Sequence, residues 1–317
     1  MINEKRLLDE FIELVSVPCP SLDEKAEAEL LVKKLKDLGL EVKVDDAGSK
    51  CGGTTGNVWG FLKGNVEGAT RLFFEAHMDS VAPTTGTHIV KKDGVLYSDG
   101  TTTLGGDDKS GVAAILEAVR SLNEDNAPHG DIQVCFTIAE ETGSFGVRYL
   151  DPTWIKADAG YCADCGGATG EIYNQAPQCY HLTVKVAGKA AHAGLEPEKG
   201  INAIMLLAKA LTMLPCYGRL STDTTLSIGQ ISGGLAPNIV APQAEVVIDM
   251  RCPDVVRLDK LRDETIAIFK KVIEAGGGTV ETDCELSSPA VFIKEDDPAV
   301  KLAADAAKAL GFTPRNY

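Results

Sequence analysis

The sequence predicts an α/β fold: a mostly parallel sheet flanked by helices, with an inserted α+β ferredoxin-like lid domain. Three observations predict it. Through the first 177 residues, short apolar runs of strand length alternate with amphipathic helical stretches. Near Gln178 the pattern changes to strands with one wet face, in the order β-α-β-β-α-β. Histidine or carboxylate segments follow several strands of the first part, where an open α/β sheet places its active site. A chain of 317 residues is long enough for two cores.

The elements can be justified in order. Leu7, Leu8, Phe11, Leu14 and Val15 fall at helical spacing behind a charged stretch, which reads as an amphipathic helix rather than a signal peptide. Ser21 with Glu24 reads as a capping box. Leu30, Leu31, Leu35 and Leu38 give the next helix face, and Gly39 stops it. Strands are expected at 41–44, 58–62 and 71–76, followed by a Thr- and Gly-rich loop over 84–105. Val112, Ile115, Leu116, Val119 and Leu122 form the buried face of a helix that starts just after Asp107-Asp108. Apolar strands over 132–138 and 160–163 lead to Glu140 and Asp164.

In the second part, Leu182, Val184 and Val186 alternate with His181, Thr183 and Lys185, a strand with one wet face. A helix over about 202–214, strands at 225–231 and 245–251, a helix near 258–275 and a strand near 279–285 follow. The stretch 298–310 reads as a helix returning to the first domain. The expected organisation is therefore a catalytic metal-binding domain over 1–177, an inserted lid and dimerisation domain over 178–286, and 287–317 as the incomplete start of a returning segment.

The formal charge of −15 and pI near 4.8 argue against nucleic acid or an anionic membrane as partner. No run of 18 apolar residues offers a membrane span. Nine scattered cysteines suit a reduced, cytoplasmic protein. Cys162 and Cys165 make a lone C-x-x-C, read as two small residues beside Asp164.

The chemistry sits in four places. His77 and Asp79 are two apart, so Asp79 either ligates an ion or holds the second ring nitrogen of His77. Asp107-Asp108 precedes a helix, where a carboxylate also serves as a cap. Glu140-Glu141 after an apolar strand offers two carboxylates pointing different ways, one for a metal and one for a proton. Asp164 repeats the strand-end placement. One imidazole with several carboxylates is the donor mix of a hydrolytic metal centre. His88, His129 and His181 read as loop or strand-surface residues.

The blocks FFEAHMDSV, LGGDDKSG, AEETGSFG and DCGG, in this order, resemble the co-catalytic zinc metallopeptidases that include peptidase T, carboxypeptidase G and the aminoacylases. Peptidase T-like tripeptidases are the most similar. The resemblance implies a zinc-peptidase-like catalytic domain with two divalent ions, zinc foremost and cobalt or manganese as alternatives. It implies one metal on His77 and Asp164, a second on Glu141, and Asp107 bridging them. Glu140 is then the general base and Asp79 the orienter of His77. VAGKAAHAG places His192 where the family has a lid histidine that reaches an active site, often across a dimer, and GGLAPNIV and IDMRCPD place Asn238 and Arg251 where it holds substrate oxygens or a terminal carboxylate. A small peptide substrate and a homodimer through the lid follow as partners.

The implied function is hydrolysis of small peptides, tripeptide aminopeptidase-like, by a metal-activated water with a glutamate base. Alternatives are a dipeptidase, a carboxypeptidase-type enzyme, an N-acyl-amino-acid amidohydrolase, or a catalytically impaired peptide- or metal-binding form. Members of the family carry a final metal-binding histidine beyond the helix read at 298–310, and here the last histidine is His192. The expectation is that the second site lacks its nitrogen ligand. One ion is then held tightly through His77, Asp107 and Asp164, and turnover is weak.

Overall fold

Local side-chain caps set the helix starts in the computed structural model, which describes residues 1–317. The chain divides into two units, Met1–Thr169 and Gly170–Tyr317. Asn3 accepts from the Arg6 amide at 3.1 Å and starts the helix Glu4–Ser16, whose Leu14 and Val15 are buried. The helix Lys25–Asp37 buries Leu31 and Leu35 completely. Each contributes roughly 1.5–3 kcal/mol of apolar burial. Gly39 follows at φ +82°, a left-handed conformation suited to glycine.

The expected capping box does not form. The helix begins at Lys25, so Ser21 stands a turn too early to cap it. Its hydroxyl donates instead to Asp79 at 2.6 Å, while Glu24 accepts from the Leu22 and Ala139 amides.

The first unit's sheet runs Glu41–Val44, Val58–Leu62, Ile132–Thr137, Leu72–His77, Ala159–Cys162. All five strands were legible as apolar runs. The last three run parallel, but the first two pair antiparallel, so the sheet is mixed. The cause is the length of the connections. The helix Gly106–Asp125 supplies the long crossover that a parallel pair needs between Leu72–His77 and Ile132–Thr137. Only a short helix, Ala47–Cys51, joins Glu41–Val44 to Val58–Leu62.

Val58, Val134 and Phe136 are fully buried in one core with Leu31, Leu35, Val112 and Leu116. Glu75 ties the three parallel strands laterally. It accepts from the Thr137 hydroxyl and the Cys162 thiol, each at 2.8 Å. The 84–105 loop contains a small hairpin, Ile89–Lys92 with Val95–Ser98. Asp93-Gly94, both at positive φ, is the turn signal that reveals it.

The second unit has the sheet order Gly218–Arg219, Thr225–Gly233, Gln243–Cys252, Gln178–Ala187, Thr279–Ser288, antiparallel throughout. Helices Ala203–Thr212 and Val255–Ala275 start on side-chain caps from Asn202 and Asp254. Both pack on one face, where Leu182, Val184, Val246 and Ile248 meet Leu207, Phe269 and Ile273. This is the expected ferredoxin-like arrangement.

The flanking segments pair with each other: Gln175–Ala176 with Val291–Phe292, and Glu171–Ile172 with Arg315–Asn316. The helix Pro298–Ala309 lies between. The compact second unit begins at Gly170 and includes these flanking segments.

A buried charge network joins the first helix to the Gly106–Asp125 helix. Glu117 accepts from the Asn3 amide and from Arg6 Nε and Nη2, all at 2.8 Å. The Arg6 bonds hold its carboxyl down at about 2 despite burial. The folded value lies below the unfolded one, so the stabilisation is present above about pH 4.3 and is lost as pH falls through 2. Glu117→Gln is expected to lower the unfolding free energy by roughly 2–4 kcal/mol in urea at pH 7. The gap to the parent should narrow below about pH 4; a gap that stays constant down to pH 2 would contradict this account.

Candidate metal centre

Three neighbouring parallel strands deliver the functional groups at their C-terminal ends. Leu72–His77 ends on His77, Ile132–Thr137 runs into Glu140 and Glu141, and Ala159–Cys162 runs into Asp164. His77 is buried. Its Nδ1 lies 3.0 Å from the Asp79 carbonyl oxygen and 3.3 Å from the Asp79 carboxylate. Its Nε2 faces the other way, 3.2 Å from Asp107 Oδ1 and 3.9 Å from Asp164 Oδ2.

Asp79 thus stands on the orienting side of the ring. It is fully buried, and it also accepts from Ser21 Oγ, from the Glu140 amide at 3.0 Å and from the Glu141 amide at 3.2 Å. These bonds overcome burial and hold its carboxyl below the usual range.

The two neighbours Asp107 and Asp108 divide the two readings of their motif. Asp107 has non-helical backbone angles and reaches His77. Asp108 is buried and accepts from the Gly111 amide at 3.2 Å, as a helix cap does. Burial pushes its carboxyl up to about 7, and its Oδ2 has no hydrogen-bond partner. Gly111 is required here, because a Cβ would stand 2.4 Å from Asp108 Oδ1 and 2.6 Å from Ala163 Cβ.

Two donor groups share the histidine: His77 with Asp107 and Glu141, and His77 with Glu140 and Asp164. In each, the donor atoms lie within 4.8 Å of one another. Burial raises Asp164 to about 6, opposed by His77 and reinforced by Asp107 and Glu140. Glu141 is raised by burial with the same crowding. Burial would lower His77, but Asp79, Asp164 and Asp107 drive it up to about 10.

A divalent cation fits this arrangement. The Nε2–Asp107 separation of 3.2 Å is close to the roughly 3.3 Å between ligand atoms of one tetrahedral ion with bonds near 2.0 Å. An imidazole with carboxylates suits zinc, cobalt or manganese. Cation, imidazole and paired carboxylates together define a metal-dependent hydrolase.

The second unit carries the other three expected residues. His192 Nδ1 accepts from the Gly194 and Leu195 amides at 3.1 and 3.2 Å, which leaves Nε2 as its donor. Asn238 is exposed, and its carbonyl accepts from the Ala193 amide at 3.0 Å, next to His192. Arg251 is engaged by Asp249 through Nε at 2.9 Å and Nη2 at 3.1 Å. Sequence reasoning passed over Ser21, Ser144 and Asp249. Ser21 carried a local signal that pointed to a cap, and its real partner lies 58 residues away.

Comparison with known proteins matches the chain to peptidases. A family profile described as peptidase family M28 matches residues 57–190, and one described as a peptidase dimerisation domain matches 179–276. The YqjE protein of Bacillus subtilis is 38% identical over 98% of this chain and 83% of its own. Peptidase T of Serratia proteamaculans is 31% identical over 66% of this chain; the match spans 60% of that protein. Two crystal structures superpose over all of this chain and 84% of theirs. They are the aminopeptidase PepT of Bacillus cereus (37% identity, TM-score 0.92) and a tripeptidase of Staphylococcus aureus (35%, 0.95). The chain belongs to the co-catalytic metallopeptidase family of peptidase T, and it is a metal-dependent peptidase by that membership.

The split between Asp107 and Asp108 can be tested. Asp108→Ala should lower stability by about 1 kcal/mol through loss of the cap. Asp107→Ala should stay within about 0.5 kcal/mol of the parent in metal-free melts while weakening zinc uptake in calorimetric titration. The reverse pattern would reject the division.

Proposed function

We propose that this protein is a zinc-dependent peptidase that cleaves short peptides with a free amino terminus, in the manner of a tripeptide aminopeptidase. The observation that carries the reading is His77 Nε2 facing Asp107 and Asp164 while Asp79 holds both Nδ1 and the backbone of Glu140-Glu141. In this reading His77, Asp107 and Asp164 would hold one cation, and Asp107 and Glu141 would serve a second. Bound divalent cations supply Lewis acidity toward the scissile carbonyl and toward the attacking water.

Glu140 takes the proton of that water and returns it to the leaving amine. Ser144 Oγ donates to Glu140 Oε1 at 3.2 Å and orients the carboxylate. His192 offers Nε2–H to a developing oxyanion, as its engaged Nδ1 requires. Arg251 and Asn238 bind substrate oxygens or the terminal carboxylate; Arg251 shares its fork with Asp249 until substrate arrives.

The paired flanks Gln175–Ala176 and Val291–Phe292 support reading 178–286 as an inserted lid, with 287–317 leaving it. The dimerisation-domain match over 179–276 supports a homodimer through that lid. Nine free thiols favour the reducing cytoplasm, and no helix is long and apolar enough to cross a membrane.

Glu140→Gln is expected to keep its zinc content, read by elemental analysis, and to lose about 10²-fold or more in kcat on a free-amine tripeptide. Unchanged turnover would remove Glu140 as the base. Faster hydrolysis of N-acylated amino acids than of tripeptides by the parent would favour the amidohydrolase alternative instead.

A further inference from the structure

We propose that Cys179, His181 and Asp249 form a separate cation site, for zinc or a similar thiophilic divalent ion, on the open face of the second unit's sheet. The proposal goes beyond the peptidase reading and does not depend on it.

Strand register builds the site. Cys179 and His181 are two residues apart on Gln178–Ala187, so their side chains leave the same face. Asp249 is the cross-strand partner of His181 on Gln243–Cys252, which puts its carboxylate on that face too. The helices cover the opposite face, where Leu182 and Ile248 are fully buried.

The donors are already at ligand spacing. Asp249 Oδ2 lies 3.3 Å from Cys179 Sγ and 3.3 Å from His181 Nε2, and all three donor atoms lie within 4.8 Å of one another. Ligand atoms of one tetrahedral zinc, with bonds of about 2.0–2.3 Å, stand roughly 3.3–3.6 Å apart. A thiolate, an imidazole and a carboxylate together select zinc or cobalt over magnesium or calcium, which take oxygen ligands. Glu285 faces His181 from the third strand, so a further carboxylate stands on the same side; it or water completes four-coordination.

Access and charge are consistent with uptake from solution. Cys179 is buried at the base, while the side chains of His181 and Asp249 are 43% and 24% exposed. Arg251 engages both oxygens of Asp249, Oδ1 through Nε at 2.9 Å and Oδ2 through Nη2 at 3.1 Å, so an ion on Oδ2 would displace the Nη2 contact while Nε stays on Oδ1. The thiol proton leaves to solvent as the sulfur–metal bond forms, and no redox change is involved. The competing account is a hydrogen-bond network in which Asp249 only restrains Arg251.

Cobalt(II) separates the two, because a cobalt–thiolate bond gives a near-ultraviolet charge-transfer band that carboxylate and imidazole ligands do not. The full chain, stripped with chelator, is titrated with cobalt(II). The band should grow to one equivalent per chain in the parent. It should persist in His77→Ala, which disables the first centre, and in a Cys162→Ser/Cys165→Ser double variant. It should vanish in Cys179→Ser. His181→Ala, at a half-exposed position where folding is not at risk, should weaken cobalt affinity roughly tenfold or more. No band in the parent, a band undiminished in Cys179→Ser, or unchanged affinity in His181→Ala would overturn the site.

Discussion

The buried carboxylate of Asp79 is the interaction on which the catalytic unit depends. Its oxygens collect a serine hydroxyl, two backbone amides and the neighbourhood of an imidazole nitrogen. An isolated buried carboxylate is costly, and these partners make it tolerable. In return it joins three segments distant in sequence: the 20–24 turn, the His77 strand end and the 139–141 turn. One charge thus lies beside His77 Nδ1 and fixes the backbone of Glu140 and Glu141. Such a hub predicts strong coupling between its partners, since loss of any donor leaves the same charge undercompensated.

Much of this was legible in the sequence, for physical reasons that can be named. The five strands of the first unit are short apolar runs, and hydrophobic burial depends on composition alone. For Asp79 the chemistry left two readings, since a carboxylate two residues from a histidine either ligates or orients; its buried carboxylate lies on the Nδ1 side of His77. Residue chemistry alone left Asp107-Asp108 undivided, because capping and ligation ask for the same side chain; only the family resemblance singled out Asp107. Ser21 misled for a similar reason: Ser-x-x-Glu is a local signal, and a buried charge far along the chain offered the hydroxyl a stronger partner. Sheet direction was less legible, since apolar runs carry no polarity and only the connections reveal it.

The second unit shows how a regular fold can hold more than one use. Its helix-covered face is apolar and does nothing but pack. Its open face is free of that constraint, and strand alternation concentrates there whatever polar chemistry the chain contains. Arg251 and Asp249 illustrate the result. The Arg251 guanidinium would otherwise wander through its rotamers, and a same-face carboxylate two residues back limits that freedom.

Glu75 has a consequence for speed rather than strength. By bonding Thr137 on one neighbouring strand and Cys162 on the other, it clamps three strands just before their donor-bearing ends. If these ends hold an ion as proposed, the donors would be spaced before it arrives and little chain entropy would be lost when it enters. Loosening the clamp would therefore slow and broaden metal uptake even where every ligand remained in place.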